Sequence, residues 1–143
     1  MYLSNNVYRN MLNAPSVPPE SGGILGTHGS IVDVFHYDAG IPRLDAAEYT
    51  PDRKTLNLVL KDWSRSGIRF CGIMHTHPPG QLTLSAHDEA YIRTIMAAMP
   101  EEIRFLFFPI VIPHEILIPY AAFRSENQIA ISKTSIILKE ETS

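Results

Sequence analysis

Residues 68 to 88 read Ile68-Arg-Phe-Cys-Gly-Ile-Met-His75-Thr76-His77-Pro78-Pro79-Gly80-Gln-Leu-Thr-Leu-Ser85-Ala-His87-Asp88. An apolar run ends in two histidines, prolines stop it, and Ser-x-x-Asp opens an amphipathic stretch. Side chains alternate between the faces of a strand, so a strand over Ile68 to His77 projects His75 and His77 from one face. Pro78, Pro79 and Gly80 end its pairing. The helical period predicts a helix from Ser85 to Met99, with Tyr91 or Ile92, Ile95, Met96 and Met99 on the buried face and Pro100 closing it.

Upstream, Val7, Met11 and Leu12 predict a short helix over residues 4 to 13, capped by Ser4 or Asn5. The proline-rich Ala14 to Pro19 ends it. Glu20 to Gly26 and Ile31 to Tyr37 read as strands, and Asp38 to Tyr49 as a loop that, with Pro78 to Leu84, is expected to shape a cleft. Leu56, Val59, Leu60 and Trp63 predict a second helix from Asp52 to Ser66, bounded by Gly67. Downstream, Phe105 to Ile112 and Glu115 to Arg124 are apolar enough for central strands, separated by Pro113-His114. Ile129 to Lys139 reads as a final strand or pair at an edge. The order α-β-β-α-β-α-β-β-β implies a mixed sheet with helices packed on it, a layered α/β domain.

A chain of 143 residues fits one domain, residues 1–143, that buries about two thirds of its unfolded surface. Its net charge of −3 and pI near 6.0 argue against nonspecific nucleic-acid binding, which relies on basic patches. A single cysteine, Cys71, excludes an internal disulfide and a cysteine-based zinc cluster, and fits a reducing compartment. The N-terminus lacks the basic and apolar regions of a secretion signal, and no apolar run is long enough to span a bilayer. These features lead us to expect a cytoplasmic protein that engages neither membrane nor nucleic acid.

Two imidazoles and a carboxylate form a ligand set that suits Zn²⁺. With His75, His77 and Asp88 as the only protein ligands, a fourth tetrahedral position stays open for water, as catalytic sites require. An isolated histidine ending a strand more often caps it or satisfies a carbonyl; a pair two apart, followed by prolines, favours ligation. Ser85 and Asp88 also fit a capping box, and both roles stay open because a firm helix start would hold Asp88 for a metal. His87 should point about 100° away from Asp88 on the helix and is left out, and His28, His36 and His114 have no spacing that recommends them.

Hydrolysis needs a base for the water, for which Glu20, Glu48, Glu89, Glu101 and Glu102 are available. Glu20 stands out because it opens an apolar, glycine-rich strand after a proline run. Gly22 and Gly23 beside it fit either tight sheet packing or the close approach of a substrate tail by strand addition.

Together, Glu20-Ser21-Gly22-Gly23, His75-Thr76-His77-Pro78 and Ser85-x-x-Asp88 resemble the motif of the JAB/JAMM (MPN-plus) metalloprotease family, over about residues 1 to 125. Many members have proline before the serine, where this chain has Leu84. The resemblance implies a three-layer α-β-α fold, a mixed central sheet flanked by helices, similar to cytidine deaminases. It implies Zn²⁺ held by His75, His77 and Asp88, Glu20 as general acid/base, and Ser85 donating to the developing oxyanion. The implied substrate is a protein or peptide, cleaved at a peptide or isopeptide bond beside the tail of a ubiquitin-like or sulfur-carrier protein. Two other readings compete: a non-catalytic scaffold of the same fold, and a small-molecule zinc hydrolase. Deaminase signatures, His-x-Glu with Pro-Cys-x-x-Cys, are absent from the sequence.

Overall fold

The computed structural model describes residues 1–41 and 48–140. Its elements run β1 (Tyr2–Ser4), α1 (Asn5–Leu12), β2 (Gly22–Thr27), β3 (Ile31–Asp38), α2 (Arg53–Arg65), β4 (Arg69–Thr76), α3 (Ala86–Ala98), β5 (Phe105–Phe107), β6 (Ile110–Ile112), β7 (Ile116–Ile118), β8 (Tyr120–Ser125), β9 (Gln128–Lys133) and β10 (Ile137–Lys139). The result is a mixed α/β fold, rich in sheet. The strands lie in the order β10-β1-β3-β2-β4-β5-β8-β9, while β6 branches off to pair with β4 and β7. β2 runs antiparallel to both β3 and β4, whereas β4 runs parallel to β5 and β6.

Each helix starts where a side chain can satisfy its first free N–H groups. Ser4 Oγ accepts from Val7 N at 3.1 Å, Asp52 Oδ1 from Thr55 N at 3.2 Å and Ser85 Oγ from Asp88 N at 3.0 Å. At the other end of α2, Gly67 takes φ +74°, a turn that a residue with a Cβ rarely adopts.

Alternation along the strands sorts the core into two sides. Leu25, Met74 and Phe107 pack with Val7 and Met11 of α1, and their neighbours Ile24, Ile73 and Leu106 pack with Leu56 and Trp63 of α2 and Ile92 and Met96 of α3. Helices therefore cover both faces of the sheet. A Cβ at Gly72 would overlap the Phe107 carbonyl, so this glycine allows the close approach of β4 and β5.

Sequence and structure differ in four places. A strand, β1, precedes the first helix; only three residues long, it carries no readable alternation and is recruited by parallel pairing with β3 and β10. The expected strand Phe105 to Ile112 is two, β5 and β6, because Pro109 cannot donate to a ladder. Glu115 to Arg124 likewise divides at Pro119 into β7 and β8. Ile129 to Lys139 forms a pair of strands that part company: β9 lies at one sheet edge on β8 and β10 at the other on β1. Of the expected loop from Asp38 to Tyr49, residues 42–47 lie outside the described residues, and Asp38 itself closes β3. Among the described residues no helix is long and apolar enough to cross a membrane.

Candidate metal centre

The break at Pro109 shapes the site. β5 touches β4 through Gly72, and after the break β6 pairs with His75 and Thr76. His75 N donates to Pro109 O at 3.3 Å and His77 N to Val111 O at 3.0 Å. On the other side, Thr76 N donates to Ser21 O at 2.8 Å, and Ser21 N donates to Thr76 Oγ1 at 2.8 Å. The backbone of His75-Thr76-His77 is thus gripped from both flanks. The regular strand ends at Thr76, one residue short of the expected end, and His77 continues its direction.

Both imidazoles turn to the face that carries α3. His75 Nε2 lies 3.0 Å from His77 Nε2, and Asp88 Oδ2 lies 3.4 Å from the first and 3.1 Å from the second. Their side chains are 14%, 4% and 16% exposed, so the three ligand atoms converge in a mostly dry position. This group could hold a metal ion. His77 Nδ1 sits 3.0 Å from Gln81 O, a carbonyl that holds a proton on Nδ1 and turns Nε2 towards Asp88 Oδ2.

Capping and convergence occur together in Asp88. Its Oδ2 accepts from Ser85 N at 2.9 Å, completing a capping box, while the same oxygen faces both histidines. Burial would raise the Asp88 pKa, but the two imidazoles and the Ser85 N–H outweigh it and hold the carboxyl well below the usual carboxylate range. For His77, burial pushes the pKa down, and the bonds to Asp88 and Gln81 O more than reverse that, leaving it raised. The Ser85 hydroxyl oxygen is taken by Asp88 N–H, which leaves its own proton available to donate outward.

Glu20 enters the same cleft, a cavity of about 720 Å³ lined also by His75, His77, Ser85 and Asp88. It stands just before β2, which begins at Gly22 opposite His75. Glu20 Oε1 accepts from Tyr49 N at 3.4 Å. Burial raises the Glu20 pKa above its ordinary value against the lowering pull of His77 and of that N–H, the direction that suits a base working nearer neutrality. Among the other carboxylates weighed as bases, Glu48 reaches only the cleft's rim at 66% exposure, where it faces His87 at 4.0 Å. Glu89, Glu101 and Glu102 are exposed and do not line the cleft. His87, at 77% exposure, stays outside the cluster.

The cleft walls come from Gly80 to Leu84 on one side and Glu48 to Pro51 on the other. A Cβ at Gly22 would overlap the Tyr49 ring and the Met74 carbonyl, so tight packing accounts for this glycine. β2 is also hydrogen-bonded on both edges, which removes it as a place for strand addition. Tyr49 and Gly80 to Leu84 come from the two segments expected to shape the cleft, but sequence reasoning gave Asp38, Tyr49 and Thr76 no individual role. Only a lone Asp, Tyr or Thr marks them, a signal shared with many unremarkable positions.

No protein-family model matches the chain, and no curated protein matches it. Solved structures do. The solution structure of protein DSY2949 from Desulfitobacterium hafniense superposes with a TM-score of 0.70 at 22% identity, covering 98% of this chain and 93% of that one. A solution structure of a Salinibacter ruber protein gives a TM-score of 0.57 at 17% identity, over 97% of this chain and 92% of that one. At such identities the likeness is one of fold.

Proposed function

We propose that the chain is a zinc-dependent hydrolase of peptide or isopeptide bonds, of JAB/JAMM type, acting at the tail of a ubiquitin-like or sulfur-carrier protein. The observation that carries this reading is the convergence of His75 Nε2, His77 Nε2 and Asp88 Oδ2 in one half-buried cleft with Glu20. Zinc bonds of about 2.0–2.2 Å at tetrahedral angles set neighbouring ligand atoms about 3.3 Å apart. The separations of 3.0, 3.1 and 3.4 Å lie around that value. A set of two nitrogens and one oxygen without cysteine also matches a catalytic site better than a structural one. Helices on both sheet faces support the three-layer, cytidine-deaminase-like arrangement that the motif implies.

Bound there, zinc would supply a Lewis acid that brings water towards ionisation near neutral pH. The protein's own groups do the rest. Glu20 accepts the proton as water attacks the carbonyl carbon, then passes it to the leaving amine. Ser85 donates its free hydroxyl proton to the developing oxyanion. Asp88, held by the Ser85 N–H and the start of α3, keeps its carboxylate aimed at both histidines.

Metal analysis and Glu20→Gln test this reading. Protein reconstituted at pH 7.5 should bind one zinc and trim tail-extended ubiquitin-like proteins. Glu20→Gln should keep the zinc and lose about a thousandfold in kcat. Absence of zinc after reconstitution would favour a scaffold role, and normal turnover by Glu20→Gln would remove Glu20 as base.

A further inference from the structure

Glu20 is a half-buried carboxylate on the residue before Ser21, with no regular strand around it, and needs something to aim it. Its described hydrogen-bond partner is the backbone N–H of Tyr49, from a segment 29 residues away. That segment is fixed by one carboxylate. Asp38, only 8% exposed at the end of β3, accepts the Tyr49 hydroxyl at 2.6 Å and Asp52 N at 3.0 Å on Oδ2, and Gly40 N at 3.0 Å on Oδ1. Ile41 N to Thr50 O at 2.8 Å closes the same neck. The Tyr49 ring lies against Gly22, where any Cβ would displace it. Since Gly22 pairs with Asp38 on one side and His75 on the other, the support and the metal ligands share one strand register.

We propose that Asp38 is a positioning residue for Glu20: through the Tyr49 hydroxyl it holds the Tyr49 backbone N–H against the Glu20 carboxylate, turning that carboxylate into the metal cleft. The Asp38–Tyr49 bond is short and partly buried, whereas the Tyr49–Glu20 bond at 3.4 Å is long. A stiff anchor and a soft final link let Glu20 shuttle a proton without leaving its station. The burial that raises the Tyr49 pKa, reinforced by Asp38, keeps the phenol protonated as a donor.

The catalytic consequence rests on the hydrolase reading above; the hydrogen-bond chain does not, and the test separates them. Tyr49→Phe keeps the ring on Gly22 and removes only the hydroxyl. In the zinc-loaded protein it should lower kcat by about tenfold to a hundredfold with KM and zinc content nearly unchanged, the signature of a misaimed base. Independently of activity, nuclear magnetic resonance reads the amide proton of residue 49. Glu20→Gln should shift that resonance upfield in the wild-type background and leave it nearly unmoved in the Tyr49→Phe background, with Asp38→Ala behaving like Tyr49→Phe. If Glu20→Gln shifts the resonance as far upfield in the Tyr49→Phe background as in the wild type, the proposal is overturned, whether or not the protein is active. Wild-type turnover without zinc would instead sink the hydrolase reading and leave the amide result to decide the positioning role.

Discussion

The two halves of the cleft are assembled on different plans. His75, His77 and Asp88 come from one strand and the helix that follows it, with His77 and Asp88 eleven residues apart. Period-two alternation presents the histidines, and a capping box presents the aspartate, so secondary structure alone nearly builds the trio. Glu20 depends on contacts of far longer range: Tyr49 at 29 residues, and the Ser21–Thr76 bonds at 55. Local geometry survives small losses of tertiary packing, while a base held by remote segments drifts first. Metal binding and turnover are thus expected to fail separately, metal with the local half and rate with the remote half.

Asp88→Ala strikes the local half and should have the largest effect on metal. Zinc affinity is expected to fall on the order of a hundredfold or more, because one of the three proposed ligands is gone. The metal-free protein should lose only about 1 kcal/mol, the worth of the capping box. Asp88→Asn separates the two roles: its amide oxygen can still accept from Ser85 N, so stability should largely return while zinc affinity does not. Zinc titration and thermal melts of metal-free protein check both. Equal zinc affinity in wild type and Asp88→Ala would reduce Asp88 to a cap and break the comparison.

Ser85→Ala lies between the halves. Losing one oxyanion donor typically costs about a hundredfold in kcat, and losing the N-cap about 1 kcal/mol in stability. Zinc affinity should stay within severalfold of wild type, since the Ser85 backbone N–H that steadies Asp88 is retained. Steady-state kinetics beside zinc titration reads the split. A Ser85→Ala enzyme with full kcat but reduced stability would assign this residue to capping alone.

The same division explains what was legible in the sequence. The local half could be read in full: the histidine spacing, the prolines that stop the strand and the Ser-x-x-Asp helix start all leave marks within a few residues of one another. The helices were legible as well, since Ser4, Asp52 and Ser85 cap them where their types predict. Glu20 was visible only as an anomaly, a carboxylate among glycines after prolines. Its partners were legible only as part of the Asp38 to Tyr49 segment expected to shape the cleft, because nothing in the sequence says that the Asp38 carboxylate will take the Tyr49 hydroxyl or that the Tyr49 N–H will meet Glu20. The splitting of Phe105 to Ile112 was misread although its cause, Pro109, was in view. The strong apolar run outweighed one residue that cannot donate to a ladder, and the break at that residue separates β5 from β6, which pairs beside the histidines.

Thr76 joins the two halves and offers the finest test. Fully buried between His75 and His77, it points away from them, and its Oγ1 accepts from Ser21 N at 2.8 Å and lies 3.3 Å from Ser21 O. Thr76→Val preserves shape and leaves the Ser21 N–H buried without an acceptor, a loss of about 1–3 kcal/mol. The strand pairing through Thr76 N to Ser21 O remains, so the histidines should keep their places and zinc affinity should not change. Glu20, next to the loosened Ser21, should feel the change as a fall of only severalfold in kcat. Thr76→Ser, which restores the hydroxyl, should recover both stability and rate. If Thr76→Val instead released zinc while sparing kcat at saturating metal, the local half would be the one that leans on remote contacts, and the division between the two halves would have to be reversed.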